Sequence, residues 1–207
     1  MPRLILASAS PRRQQLLTEA GYTFEVYPAS IDESDVPPNL GPGDIAEYLA
    51  LRKAQVVAER FSGDVVLAAD TVVAYADTLL GKPTDAADAH RMLNLLSGTV
   101  HSVISGVAVV HASANFLRHA RVLSTVHVRP LTDREIAQYV ASGEWQGKAG
   151  GYGIQDPDPF VTRTSGCHTN IVGLPMTAAA GMLKEAGITA PDGRSERGSQ
   201  SFSCSGS

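Results

Sequence analysis

The runs HSVISGVAVVH (101–111) and FLRHARVLSTVHVRP (116–130) are separated only by ASAN (112–115). Both are rich in β-branched residues. A link that short can only return the chain antiparallel, so the stretch predicts a long β-hairpin. Around it, strand-like and helical segments alternate. RLILA (3–7) reads as a buried strand running straight into a helix that opens at Pro11 with Ser10 as its cap, and YTFEVYP (22–28) alternates as a strand should. In IAEYLALRKAQVVAERF (45–61), residues Ile45, Leu49, Ala50, Val56 and Val57 form a helical stripe behind a capping Asp44. DVVLAADTVVAYAD (64–77) is strand-like, and TDAADAHRMLNLLSG (84–98) is a helix capped by Thr84 and stopped at Gly98. LTDREIAQYVASG carries a capping box, Thr132 with Glu135, and NIVGLPMTAAAGMLKEAG predicts a strand end and a last helix. Parallel β–α units beside a hairpin imply an α/β fold, with a mixed central sheet flanked by helices.

With 207 residues, 43% hydrophobic and 18% charged, the chain suits one globular domain over 1–188. From Thr189 the segment TAPDGRSERGSQSFSCSGS cannot bury apolar area and reads as a disordered tail. A net charge of −4 argues against a broad nucleic-acid-binding face. No apolar run approaches the ~20 residues of a membrane span. Two cysteines, Cys167 and Cys204, with no C-x-x-C pair, suit a reducing cytoplasm.

The opening helix poses a problem. Arg12 and Arg13 fall in its first turn, at the positive end of the macrodipole, where acids normally stabilise. Free N–H groups at such an end favour a bound anion, a phosphate above all; two solvated arginines are the alternative. On the first view, Arg13→Ala costs the empty fold little. Asp70 directly follows VVLAA, and a carboxylate at a strand end suits a metal ligand or a base, although a turn aspartate would look the same. Lys82, in GKP, has a restricted backbone; Lys53 lies near the stripe of its helix; Glu33 lies in the acidic loop ASIDESDVPPNLGPG (29–43). GKAGGYGIQD (147–156) could wrap a planar ligand or be a flexible loop. LLGKPT fails as a phosphate-binding P-loop, since Ala76 stands where its first glycine belongs and Pro83 follows the lysine. Several cations and two carboxylates form an inventory for phosphoryl chemistry rather than acyl transfer.

In order and spacing, LILASASPRRQQLL, IDE, LRKA, AADTVV, GKP, LSGTVHSVISGVAV, GKAGGYGIQ and NIVGLP resemble the Maf family of nucleoside triphosphate pyrophosphatases, from about Arg3 to Gly187. The resemblance implies two lobes around a deep cleft, as in inosine triphosphatases. It also implies divalent-metal-dependent hydrolysis of a nucleoside triphosphate to monophosphate and pyrophosphate, with Mg²⁺, Mn²⁺ or Co²⁺, and it allows a homodimer. By matching position, Asp70 takes the role of catalytic base and, with Glu33, of metal ligand; Ser8, Arg13, Lys53 and Lys82 take phosphate-binding roles. Arg12, Thr71 and Gln155 match the branch acting on dTTP and UTP. The 7-methyl-GTP branch, and a non-catalytic nucleotide-binding regulator of septum formation, are the alternatives. Two departures, Cys167-His168 in GCHTNIVGLP and the proline-rich DPDPF (156–160), are expected beside the base pocket.

Overall fold

Strands β5 (Val100–His111) and β6 (Phe116–Val128) form the expected hairpin, in register from Val100↔His127 to His111↔Phe116. Asn115 at its tip is left-handed, φ 50°, a conformation that asparagine tolerates well. The computed structural model describes residues 2–76, 78–156 and 160–190; of the expected tail, 191–207 lie outside them.

The sheet runs β2-β1-β3-β5-β6-β7, with β4 (Thr78–Leu80) on the free edge of β3 (Val65–Tyr75). Strand β1 (Leu4–Leu6) lies parallel to both β2 (Glu25–Val26) and β3, whereas β3/β5, β5/β6 and β6/β7 (Val161–Ser165) are antiparallel. The mixed sheet stands as expected. Helices cover both faces. Leu4, Leu6, Leu67 and Val109 pack with Leu16 and Leu17 of α1 (Pro11–Glu19) and with Ala179 and Leu183 of α6 (Met176–Glu185). On the other face, Ile5, Val66, Ala68 and Ala108 meet Ala50, Ala54 and Val57 of α2 (Pro42–Arg60). A further cluster joins Val73, Val103 and Val126 to Met92, Leu93 and Leu96 of α3 (Ala86–Leu96) and to Ile136 of α4 (Asp133–Ser142).

Several local expectations change. The strand at 22–28 shrinks to two residues. Helix α2 starts at Pro42 with Gly41 as N-cap, because proline suits the first helical position; Asp44 sits within the first turn instead. Asp85, not Thr84, caps α3, its carboxylate accepting from the Asp88 N–H at 2.8 Å. Ser10 is the N-cap residue of α1 but makes no capping bond through its hydroxyl. The segment read as a strand end is helical, α5 (His168–Val172). Tertiary bonds override the β-branched local sequence there: Asn170 Nδ2 donates to the Val103 carbonyl and to Ser124 Oγ, both at 3.0 Å.

Candidate active site

Strand β3 is paired with β5 along Val66–Ala74. On its other edge β1 covers Val65–Leu67 and β4 covers Val73–Tyr75. Among the described residues, no strand covers that edge from Ala68 to Val72. Asp70 and Thr71 stand in this gap, where neighbouring side chains on opposite faces can both reach one space. A cavity of about 640 Å³ opens there. Asp70 therefore lies within its strand, not at the end, because Val73 and the residues after it continue β3 into the second core cluster.

The register partner of Asp70 is Gly106. A Cβ on Gly106 would fall 2.2 Å from the Ala46 carbonyl oxygen, so only glycine lets α2 lie this close to the sheet. Lys53, seven residues and thus about two turns further along α2, reaches over Asp70. Its Nζ lies 2.6 Å from Asp70 Oδ1 and 2.6 Å from Glu33 Oε1. Lys53 and Asp70 are each only 7% exposed. Burial pushes the Glu33 carboxyl up, but the hydrogen bond and charge of Lys53, with Lys82 and Arg13 beyond, outweigh it and hold Glu33 below its ordinary value. Two carboxylates thus converge on one point, with an exposed Lys82 on the rim.

Arg13 enters from α1. Its Nε donates to the Gly173 carbonyl at 2.8 Å, Nη1 to Ser8 Oγ at 3.0 Å and Nη2 to Thr71 Oγ1 at 3.2 Å. Thr71 shares a hydroxyl bond with buried Ser105, 2.8 Å. Arg12 donates to the Val172 carbonyl at 3.4 Å and to that of Gly147 at 3.3 Å. The two cations at the positive end of α1 are therefore met by carbonyls at the C-terminal end of α5, the groups that a helix end leaves without partners. Neither a bound anion nor solvent, the two alternatives the sequence left open, is needed to offset them: backbone carbonyls do so. Arg13→Ala would strip three acceptors of their donor, which argues against the expectation that it costs the empty fold little. Burial lowers both arginines; the charges of Asp70 and Glu33 act against this at Arg13, and that of Asp156 at Arg12.

Gln155, exposed, lines the cavity with Ile154, Tyr152, Lys148 and Asp156. Tyr152 OH pairs with His101 Nε2 at 2.6 Å. Burial, and secondarily His127, lowers His101 to about 4; burial raises Tyr152. Every candidate among Ser8, Arg12, Arg13, Glu33, Lys53, Asp70, Thr71, Lys82 and Gln155 lines this one cavity. Cys167 and His168 do not: Cys167 is the buried N-cap residue of α5, facing Thr169 Oγ1 at 3.2 Å. Residues 157–159 of DPDPF lie outside the described residues. Sequence reasoning missed Lys148 and Asp156 as lining groups, though both stand in the glycine-rich motif that it singled out.

The family model described as "Maf-like protein" matches residues 3–186. This chain belongs to the Maf-like family. It is 43% identical over 188 residues to a protein of Pelotomaculum thermopropionicum named dTTP/UTP pyrophosphatase, covering 90% of this chain and 98% of that one. A protein of the same name from Thermomicrobium roseum is 46% identical over 194 residues, 92% of this chain and 88% of the other. Among solved structures, a HAM1 protein from Coxiella burnetii aligns at 16% identity and TM-score 0.43, over 62% of this chain and 73% of that one, too loosely to bear on function. Among the described residues of this Maf-like chain, no helix is long and apolar enough to cross a membrane.

Proposed function

We propose that this chain is a divalent-metal-dependent pyrophosphatase that hydrolyses dTTP and UTP to the monophosphate and pyrophosphate. The observation that carries the reading is the convergence of Asp70 and Glu33 on one point, beside Arg13, in the gap of the β3 edge. The names of the relatives supply the substrate class.

The donor set fits a metal ion. Among the described residues no group of three or more His, Cys, Asp or Glu is suited to hold one alone. Mg²⁺ is characteristically held by one or two carboxylates, with phosphate oxygens and water completing its shell. Glu33 and Asp70 would hold it, and when bound it neutralises charge on the phosphate oxygens. The chain's own groups do the rest. Lys53, Lys82 and Arg13 bind and orient the triphosphate, and Ser8 fixes the guanidinium of Arg13. Asp70 accepts a proton from water as its oxygen attacks the α-phosphorus. The bond from that phosphorus to the α–β bridging oxygen breaks, and pyrophosphate leaves with charge balanced by the lysines.

Hydrolysis in ¹⁸O-water tests this: the label should appear in dTMP and pyrophosphate should leave unlabelled. Label in pyrophosphate, or release of orthophosphate, overturns the reading.

A further inference from the structure

One carboxylate at the far side of the cavity holds three donors from three places. Asp156 accepts from Tyr139 OH of α4, from Lys148 Nζ, and from the Gly153 N–H at 2.7 Å. Lys148 is only 9% exposed, and its Nζ also reaches Glu144 Oε2 at 3.3 Å. A desolvated ion pair with its remaining positions filled is costly to break from one side. The bond from Gly153 to Asp156 closes a turn whose middle residues are Ile154 and Gln155, both on the cavity wall. Most of the acceptor positions of Asp156 are occupied by these donors, so the carboxylate has little capacity left for a ligand. Tyr139 lies behind it, outside the cavity lining, its ring packed edge-on against Phe160 at 4.8 Å.

Arg12 reaches this loop, its Nη2 donating to the Gly147 carbonyl beside Lys148, whereas Arg13 bonds Ser8 and Thr71, the neighbour of Asp70. On the pyrophosphatase reading the phosphates lie with Asp70, Lys53 and Arg13, and the nucleobase is left the wall carrying Ile154 and Gln155.

We propose that Asp156, locked by Tyr139 and Lys148, is a positioning residue for nucleobase selection, fixing the turn that presents Ile154 and Gln155 to the base. The proposal rests on the pyrophosphatase reading. It assigns Tyr139, a residue outside the cavity lining, a share in discrimination between bases. Chemistry at the α-phosphorus does not pass through the clamp.

The test compares the parent with Tyr139→Phe and Asp156→Ala, using steady-state kinetics on dTTP and dGTP and calorimetric binding of their α,β-imido analogues. Asp156→Ala should raise KM for dTTP about tenfold, the scale of one charge-assisted hydrogen bond, and shrink the preference over dGTP. kcat should stay within about twofold, as for an interaction made equally in ground and transition states. Tyr139→Phe should shift both in the same direction and by less, with its ring contact kept. If Asp156→Ala fails to fold, Tyr139→Phe decides alone. A lowered melting temperature with unchanged base preference would make the clamp merely structural and overturn the proposal, as would a fall in kcat matching the fall in kcat/KM. If the parent binds neither analogue, the pyrophosphatase reading itself fails and the clamp proposal falls with it. An active parent with indifferent variants sinks only the clamp.

Discussion

The two ends of the cavity are built from different materials. At one end, Asp70 on β3, Lys53 on α2 and Arg13 on α1 project from long, packed elements, and their positions follow from the sheet and from one close helix approach. At the other, Gln155, Ile154 and Tyr152 come from a stretch with glycines at 147, 150, 151 and 153, held by side-chain bonds rather than by a ladder. On the proposed reading, Asp70, Lys53 and Arg13 act from packed scaffold, whereas Gln155 meets the base from a loop, where residues can change without repacking the core.

The comparison can be broken most sharply at Asp70. Asp70→Asn should keep nucleotide binding and lose at least about 10²-fold in turnover, the low end for a general base. Single-turnover hydrolysis of dTTP measures it, and activity within a few-fold of the parent would remove Asp70 from the chemistry. Next comes the scaffold. Gly106→Ala should push α2 off the sheet at Ala46, costing roughly 3 kcal/mol as an overpacked contact; urea titration gives the stability, and activity should fall for all nucleotides alike.

Arg13→Ala should destabilise the empty protein by about 2 kcal/mol and weaken dTTP, UTP and dGTP to a similar extent. Arg12→Ala has longer bonds to lose, so its effect on stability should be smaller, near 1 kcal/mol, and it should mainly erode the preference for dTTP and UTP. Melting curves with and without each analogue separate the two, and an equal pattern for both arginines would dissolve the distinction between the ends.

The last effect concerns pH and the base end. His101 is held near pH 4 in the folded protein against an ordinary value of about 6.5. The unfolded chain takes up that proton first, so stability should decline as pH falls below about 6.5, by at most about 1.4 kcal/mol per unit. Between pH 6.5 and 5 the slope lies above the carboxylate range. His101→Asn should flatten it in denaturant midpoints measured across that window.

Much of this was legible in the sequence. The short link at 112–115 dictated the hairpin, Thr132 with Glu135 announced a capping box that the structure contains, and nine spaced polar residues do line one cavity. What escaped is physical in kind. Thr84 and Asp85 are adjacent cap candidates, and the charged acceptor won. Asn170–Val172 has a strand's composition but sits in a helix fixed by bonds to distant strands. The acceptors of Arg12 and Arg13 are backbone carbonyls, which carry no residue code at all. The clamp on Asp156 joins a helix, a loop lysine and a turn whose proximity only the fold creates.

The reach of Arg13 bears also on the timing of synthesis. Its partners arrive in sequence: Ser8 is made before it, Thr71 some way after, and the Gly173 carbonyl near the end of the domain. A ribosome must therefore release most of the chain before the guanidinium can settle. An unfinished polypeptide still tethered there would hold both carboxylates and both lysines, yet the Arg13 guanidinium would lack the Gly173 carbonyl that anchors it.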